Sequence, residues 1–378
     1  MSRALWLVLV VVISTVTIGL ALSQVWRDET PPEFVVELSE RVPAGRPFTV
    51  RLAADEPVLY TLGYVDLVYE RTTKELEVSL LAEEGPHELA VTAVDMSGNM
   101  SHHRAGVVGV VPLKPELEFP EEVMAGDPIA FKAVWPFEGA AVRRMEASLA
   151  GKSLPLIPYE WGVTGFGVVP LGSEAGLVPL TLTVTDEFGQ EITLENLITV
   201  TADVRSVEEL NLSAEILEAR TPEGFELERR VLERAFEQRR PEMLWRDPFI
   251  APIEGVATSG FGSPRRYVRG GDVSHHQGSD IAAPEGTPIR SMNDGVVSVA
   301  GFYPIKGGLV VVDHGAEVSS LYFHQSSIGV EVGDHVRRGD VIGRVGSTGV
   351  STGPHLHWEV RIGGLATDPH AWVGKILP

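Results

Sequence analysis

The sequence predicts a mainly β protein. The order is an N-terminal export or transmembrane helix, two antiparallel β-sandwich domains, a helical linker and a C-terminal all-β domain with an open groove. Three observations carry that prediction. Gly85, Leu89, Val91, Ala93, Asp95 and Gly98 recur as Gly176, Leu180, Leu182, Val184, Asp186 and Gly189, at a constant offset of 91 residues. A helical apolar stripe follows Thr221-Pro222-Glu223. After residue 250 the chain breaks into short β-rich runs bounded by Gly, Pro or Asn-Asp, with no credible helix of ten residues.

Composition bounds the function. A chain of 378 residues can hold two to four domains, and 44% apolar with 22% charged residues excludes wholesale disorder. The absence of cysteine excludes disulfides and thiolate chemistry. A net charge of −21 argues against nucleic acid as a partner. Residues 30–204 hold 27 acidic against 11 basic side chains, and residues from 205 onward hold 23 against 18. The middle of the chain therefore reads as an acidic spacer and the end as nearly balanced.

Residues 1–29 read as a signal peptide or membrane anchor. Positions 4–26 carry no charge, Arg3 precedes them and Arg27-Asp28-Glu29 follows. Ala21-Leu22-Ser23 offers a small-x-small cleavage pattern, while the length is close to the ~20 residues that span a bilayer. Either reading places the rest of the chain outside the cytoplasm, in the cell envelope, with the N-terminus inside. Thr30-Pro31-Pro32 makes an extended linker.

The repeats place one sandwich at 33–112 and a second at 113–203. Upstream of the repeated runs, Ala44-Gly45-Arg46-Pro47 is echoed by Ala125-Gly126-Asp127-Pro128. Strict alternation between regularly spaced turn residues is the pattern of antiparallel sandwiches, and the duplication argues for two. Both resemble bacterial immunoglobulin-like modules. Neither gathers catalytic residue types; His102 and His103 are adjacent on a strand and point to opposite faces.

Residues 204–247 read as a helical linker. Thr221 supplies the N-cap and Pro222 the first helical position, and Pro241 stops the helix. Phe225, Leu227, Val231, Leu232 and Phe236 form its apolar stripe. Residues 248–378 form the last domain, with strands expected at 287–291, 296–300, 309–313, 319–324, 341–345 and 357–361.

That domain holds eight of the eleven histidines. His355 and His357 sit two apart in an alternating run, so both rings share one face of a strand. His276 and Asp280 bracket Gly278, which lets the chain bend so that their side chains converge. Two imidazoles and a carboxylate, with a fourth position left over, are the ligand pattern of a catalytic zinc. His276, Asp280 and one of His355 and His357 fill those roles. The other, with His324, is placed to accept a proton from water, steady an oxyanion or protonate a leaving amine. No His-Glu-x-x-His helix exists to supply a glutamate base.

From about Gly255 to Pro369 the motifs run in order: Ser259-Gly-Phe-Gly262 leading to Arg265-Arg266, His276-Gln-Gly-Ser-Asp280, Tyr322-Phe-His324, Val330-Glu-Val-Gly-Asp334, Gly346-Ser-Thr-Gly349 and Ser351-Thr-Gly-Pro-His355-Leu-His357. This stretch resembles the catalytic domain of the M23 zinc metallopeptidases of the lysostaphin and LytM type. The resemblance implies that His276, Asp280 and His357 ligate Zn2+ and that His324 and His355 are catalytic. It implies a peptidoglycan endopeptidase, acting on short wall peptides at bonds flanked by small residues. Gln325 stands where family members usually carry an apolar residue, a packing variation. Of the other histidines, His275 lies beside the first ligand but outside the His-x-Gly-x-Asp register, His314 reads as structural, and His335 and His370 as exposed turn residues.

Two competing readings differ in class. A non-catalytic LytM-type regulator that activates cell-wall amidases would have lost ligands, and the full set here argues against it. A biotinyl- or lipoyl-like carrier is suggested by 333–343, but no lysine is suitably placed. The expected partners are peptidoglycan peptides, the membrane through the N-terminal segment if it is uncleaved, and cell-wall or division proteins through the sandwiches.

Overall fold

The computed structural model describes residues 28–136, 139–201, 205–209, 213–237, 240–266 and 272–375. The apolar run at 4–26 lies outside them. Among the described residues no helix is long and apolar enough to cross a membrane. The structure is mainly β. It divides into two compact units, one running to Leu113 with Glu138–Ala141, the other comprising Lys114–Phe137 and Val142–Pro378.

The first unit is a six-stranded sheet in the order Phe34–Glu37, Pro47–Tyr64, Gly85–Val94, Met100–Val110, Arg41–Pro43, with Leu67–Leu81 also paired to Pro47–Tyr64. The long strand Pro47–Tyr64 joins Phe34–Glu37 through its first half and Gly85–Val94 through its second, with a register shift between Ala53 and Val58. Its alternation sends Val50, Leu52, Val58, Tyr60 and Leu62 into one core.

The second unit begins with a five-stranded and a four-stranded sheet between Glu116 and Thr201. The sequence repeat reappears here as backbone. Asp95 Oδ1 accepts from the amides of Ser97 and Asn99 at 2.7 and 2.9 Å, and Asp186 Oδ1 accepts from those of Phe188 and Gln190, both at 2.9 Å. In each copy the second, short strand runs parallel to the last strand, with Val42 opposite Gly109 and Val123 opposite Val200. The aspartate is retained because its side chain closes the turn that reverses the chain.

The C-terminal part is built on an eight-stranded sheet. Its order is Val256–Ser259, Ser279–Ala282, His355–Ile362, Val318–Gln325, Gly307–Gly315, Gly295–Tyr303, His335–Val336, with Leu365–Thr367 also on His355–Ile362. One face packs Val310, Val312, Tyr322, Leu356, Trp358 and Val360 into the main core. The opposite face presents Leu309, Val311, Leu321 and Phe323. Both faces are covered, so the two central strands are buried at every residue.

The helix Pro222–Glu237 covers that second face, through Leu232 and Ala235. Thr221 Oγ1 accepts from the amide of Gly224 at 3.1 Å, the expected cap. The stripe is the expected one in part, with Leu232 buried and Val231 and Phe236 packed against the same core. Phe225 and Leu227 are exposed, and Gly224, Glu228, Leu232 and Ala235 are the buried positions. The helix lies so close to the turn at Pro304–Lys306 that a Cβ on Gly224 would stand 3.2–3.3 Å from Ile305 and Pro304 atoms. Close approach selects a small residue there, and a buried carboxylate is tolerated because the turn supplies its partners.

The main core also takes in Phe166, from the strand Gly162–Val168, which is buried throughout. Its ring lies 5.8 Å from that of Trp245 and 6.5 Å from that of Trp372. The segment read as a spacer thus shares a core with the domain it was expected to carry. Phe166→Ala should cost about 3–5 kcal/mol and lower the thermal midpoint of the C-terminal part, followed by tryptophan fluorescence. An unchanged midpoint would mean that this core is not continuous.

Candidate metal centre

Two neighbouring strands position the site. Ser279–Ala282 pairs antiparallel with His355–Ile362, and the register sets Asp280 directly opposite His357. His357 Nδ1 lies 2.7 Å from Asp280 Oδ1. His276, one turn before the strand, brings its Nε2 to 3.2 Å from the same oxygen and 3.0 Å from His357 Nδ1. These atoms form a group able to hold a metal ion.

Gly278 works differently from the sequence reading. It has no left-handed backbone. A Cβ there would stand 2.5 Å from the carbonyl of Trp358 and 2.8 Å from His357 Nε2. The glycine is needed for close approach to the facing strand, not for a bend.

Hydrogen bonds fix which nitrogens face the centre. His276 Nδ1 is 3.0 Å from the carbonyl of Gly260, which only accepts, so the proton sits on Nδ1 and the Nε2 lone pair points inward. His357 Nε2 is 3.0 Å from Glu359 Oε1, which by the same argument leaves the Nδ1 lone pair inward. Asp280 Oδ2 accepts from Arg265 Nη2 at 2.9 Å, leaving Oδ1 for the centre. Three acceptor atoms thus crowd one point, an arrangement that needs a proton or a cation among them.

The titration behaviour agrees. Burial disfavours charge on His357, but its bonds to Asp280 and Glu359 outweigh that and raise its pKa. Burial likewise opposes the charge on Asp280, yet bonds from His276 and His357 hold it well below the usual carboxylate range. Burial lowers His276 in spite of its bond to Asp280. Two nitrogens and one carboxylate oxygen, in a chain without cysteine, are a donor set that suits zinc.

His324 and His355 complete the cluster, with ring centres 4.7 Å apart. His324 Nδ1 is 2.8 Å from the carbonyl of Thr348, and His355 Nδ1 is 2.8 Å from that of Gly353. Both therefore keep Nε2 free, and that of His355 is 3.9 Å from Asp280 Oδ1. Burial, with His355 and His357 beside it, pushes His324 down to about 3, so its ring is neutral at pH 7. Its backbone is left-handed, with φ of 61°, uncommon for a residue with a side chain.

These side chains line a cleft of about 370 Å3 with Gln277, Lys306 and Phe323, and with Ile216, Arg220 and Phe225 from the linker segment. His275 also lines it. The other histidines stay apart. His314 is fully buried within a strand, bonded to Asp294 O and Ser320 Oγ, and burial lowers it to about 4. His335 is exposed on a short strand, and His370 bonds Ser279 Oγ at 2.9 Å. His102 and His103 lie on the strand Met100–Val110 and belong to no candidate metal-binding group among the described residues. The buried Gln325 donates from Nε2 to the carbonyl of Tyr322 at 3.0 Å.

Sequence reasoning passed over Glu359 and Arg265. Glu359 lies two residues beyond His357 on one strand and so on the same face, a spacing visible in His355-Leu-His357-Trp-Glu359. It is buried, and although burial opposes its charge, Arg361 and His357 bring it down to about 2. Arg265 approaches from the separate strand Pro264–Arg266, and no sequence spacing reports that contact.

Comparison with known proteins places this geometry. The family model described as Peptidase family M23 matches residues 274–369. The DD-carboxypeptidase/endopeptidase Mpg of Neisseria meningitidis serogroup B is 49% identical over 94 residues, 25% of this chain and 22% of that protein. The peptidoglycan DD-endopeptidase ShyA of Vibrio cholerae serotype O1 is 38% identical over 133 residues, 35% of this chain and 29% of that protein. Among solved structures, the catalytic domain of the prophage-encoded M23 protein EnpA from Enterococcus faecalis is 36% identical, covering 32% of this chain and 95% of that one, with a TM-score of 0.28. The match thus takes in less than a third of either curated relative's length.

Removing the carboxylate behind His357 tests the site independently of any reaction. Glu359→Gln should weaken zinc binding about 10–100-fold in competition with a chromophoric chelator. Unchanged affinity would show that Glu359 does not orient the ligand.

Proposed function

We propose that this chain, whose residues 274–369 match the model for Peptidase family M23, is a zinc-dependent endopeptidase hydrolysing peptide bonds in bacterial peptidoglycan. The observation that carries the reading is the convergence of His276 Nε2, Asp280 Oδ1 and His357 Nδ1, with the Nε2 atoms of two further histidines left free beside them. In this reading His276, Asp280 and His357 hold the zinc. When bound, the ion supplies Lewis acidity, polarising the scissile carbonyl and bringing the pKa of a water toward about 7.

The chain's own residues do the rest. Asp280, kept ionised, offsets part of the metal charge, and Arg265 keeps its second oxygen from competing. His355 and His324 hold their protons on Nδ1 by donating to carbonyls, so each presents a lone pair on Nε2 to the cleft. One is set to take the proton of the attacking water, hydrogen-bond the oxyanion through it and return it to the leaving amine, and the other accepts from the same water to orient it. Two histidines so held replace the glutamate base of His-Glu-x-x-His enzymes. Phe323, its ring 4.6 Å from that of His357, closes one side of the centre against water.

The relatives' names point to the substrate class, since ShyA is a peptidoglycan DD-endopeptidase. The uncharged run at 4–26 supports an extracytoplasmic location with an N-terminal tether. The repeated N-terminal modules, read as immunoglobulin-like, would hold the catalytic part toward the wall and meet its proteins.

Full-length protein should carry about one zinc per chain and release muropeptides from purified sacculi, and chelation or His276→Ala should abolish release. His355→Ala should retain the metal and lose about 10²–10⁴ in kcat. Hydrolysis surviving in His276→Ala would sink the zinc assignment. Zinc binding with no peptide released by the wild type would mark a non-catalytic regulator.

A further inference from the structure

Glu228 is a charged residue in the buried stripe of the helix Pro222–Glu237, at 1% exposure. A carboxylate at such a position is costly unless it is fully bonded. Its Oε1 accepts from two successive amides, Ile305 N at 2.7 Å and Lys306 N at 2.9 Å, while its Oε2 makes no hydrogen bond and is held only in ion-pair range of Lys306 Nζ, at 3.3 Å. The helix therefore holds both amides of the turn joining strands Gly295–Tyr303 and Gly307–Gly315.

The carbonyls of the same two residues point the other way, into the candidate centre. Lys306 O accepts from the backbone amide of His324 at 2.9 Å, and Ile305 O accepts from that of Val350 at 2.8 Å. The first bond bears on a residue whose backbone is left-handed. The second fixes the 347–353 loop, whose Thr348 carbonyl receives His324 Nδ1. Thr348 Oγ1 ties that loop back by accepting from Gly308 N and donating to Gln325 O. Lys306, gripped at both its amide and its ammonium, stands 4.9 Å over the ring of Phe323.

We propose that Glu228 is a positioning residue for the reaction: by clamping the 305–306 turn from the linker helix, it sets the backbone and ring of His324 and the facing 347–353 loop. This rests on the endopeptidase reading for its catalytic consequence. It makes the linker helix part of the active enzyme rather than a tether. Glu228 touches neither metal nor substrate and acts only through the turn.

The test uses zinc-loaded full-length protein. Glu228→Ala leaves two amides unpartnered, and Glu228→Asp keeps the charge but stops a methylene short. Both should lower kcat about 10²-fold while KM and zinc content stay near wild type. Glu228→Gln keeps an acceptor and should restore most of kcat. Leu232→Ala loosens the same helix without touching the turn and should leave kcat near wild type. Hydrogen exchange at the amides of His324 and Val350 should quicken about tenfold in Glu228→Ala and Glu228→Asp but not in Leu232→Ala. That readout reports on the clamp whatever the wild type cleaves, so a wild type inactive on sacculi would defeat the endopeptidase reading alone. Unchanged exchange at both amides, or equal losses of kcat in Leu232→Ala and Glu228→Asp, would overturn the role of Glu228.

Discussion

The pairing of Asp280 with His357 across two antiparallel strands is the constraint on which the centre depends. Opposed residues in an antiparallel pair hold their side chains about 5 Å apart at Cβ on the same face, and here the facing atoms meet at 2.7 Å. A slip of one residue would turn His355, His357 and Glu359 toward the core and bring Leu356, Trp358 and Val360 out of it in their place. The apolar alternation of His355–Ile362 forbids that slip. The packing of the core thereby fixes the chemistry of the opposite face.

Around that pair the structure spends buried charge in a definite order. Arg361 neutralises Glu359, with Nη2 2.7 Å from its carboxylate, and Glu359 orients His357. Arg265 occupies the outer oxygen of Asp280. None of these groups could sit so deep alone, because an isolated buried charge is far costlier than a paired one. Together they leave three lone pairs aimed at one point. Gly278 lets the chain carrying His276 come close enough for this, its missing Cβ being space taken by the Trp358 carbonyl and the His357 ring.

Much of this was legible in the residues. The two-residue spacing of His355 and His357 and the alternation around them give the strand and its functional face. The repeated Asp of 95 and 186, each followed by Gly three residues on, gives the duplicated turn. Contacts made by residues distant in sequence were not legible. The helix stripe was read from hydrophobicity alone, so Phe225 and Leu227 were placed inward, whereas backbone proximity selected Gly224 and the turn's amides selected Glu228. Phe166 reads as an ordinary strand residue, and only the assembled core shows it beside Trp245 and Trp372. Periodicity reports which face is buried; it does not report against what.

The most direct test of the central claim is anomalous diffraction at the zinc edge from crystals of the full-length protein grown with the metal. One strong peak is expected about 2.0–2.2 Å from His276 Nε2, Asp280 Oδ1 and His357 Nδ1, with Glu359 still bonded to His357 Nε2. A peak elsewhere, or one ligated by Glu359 in place of His357, would contradict that claim.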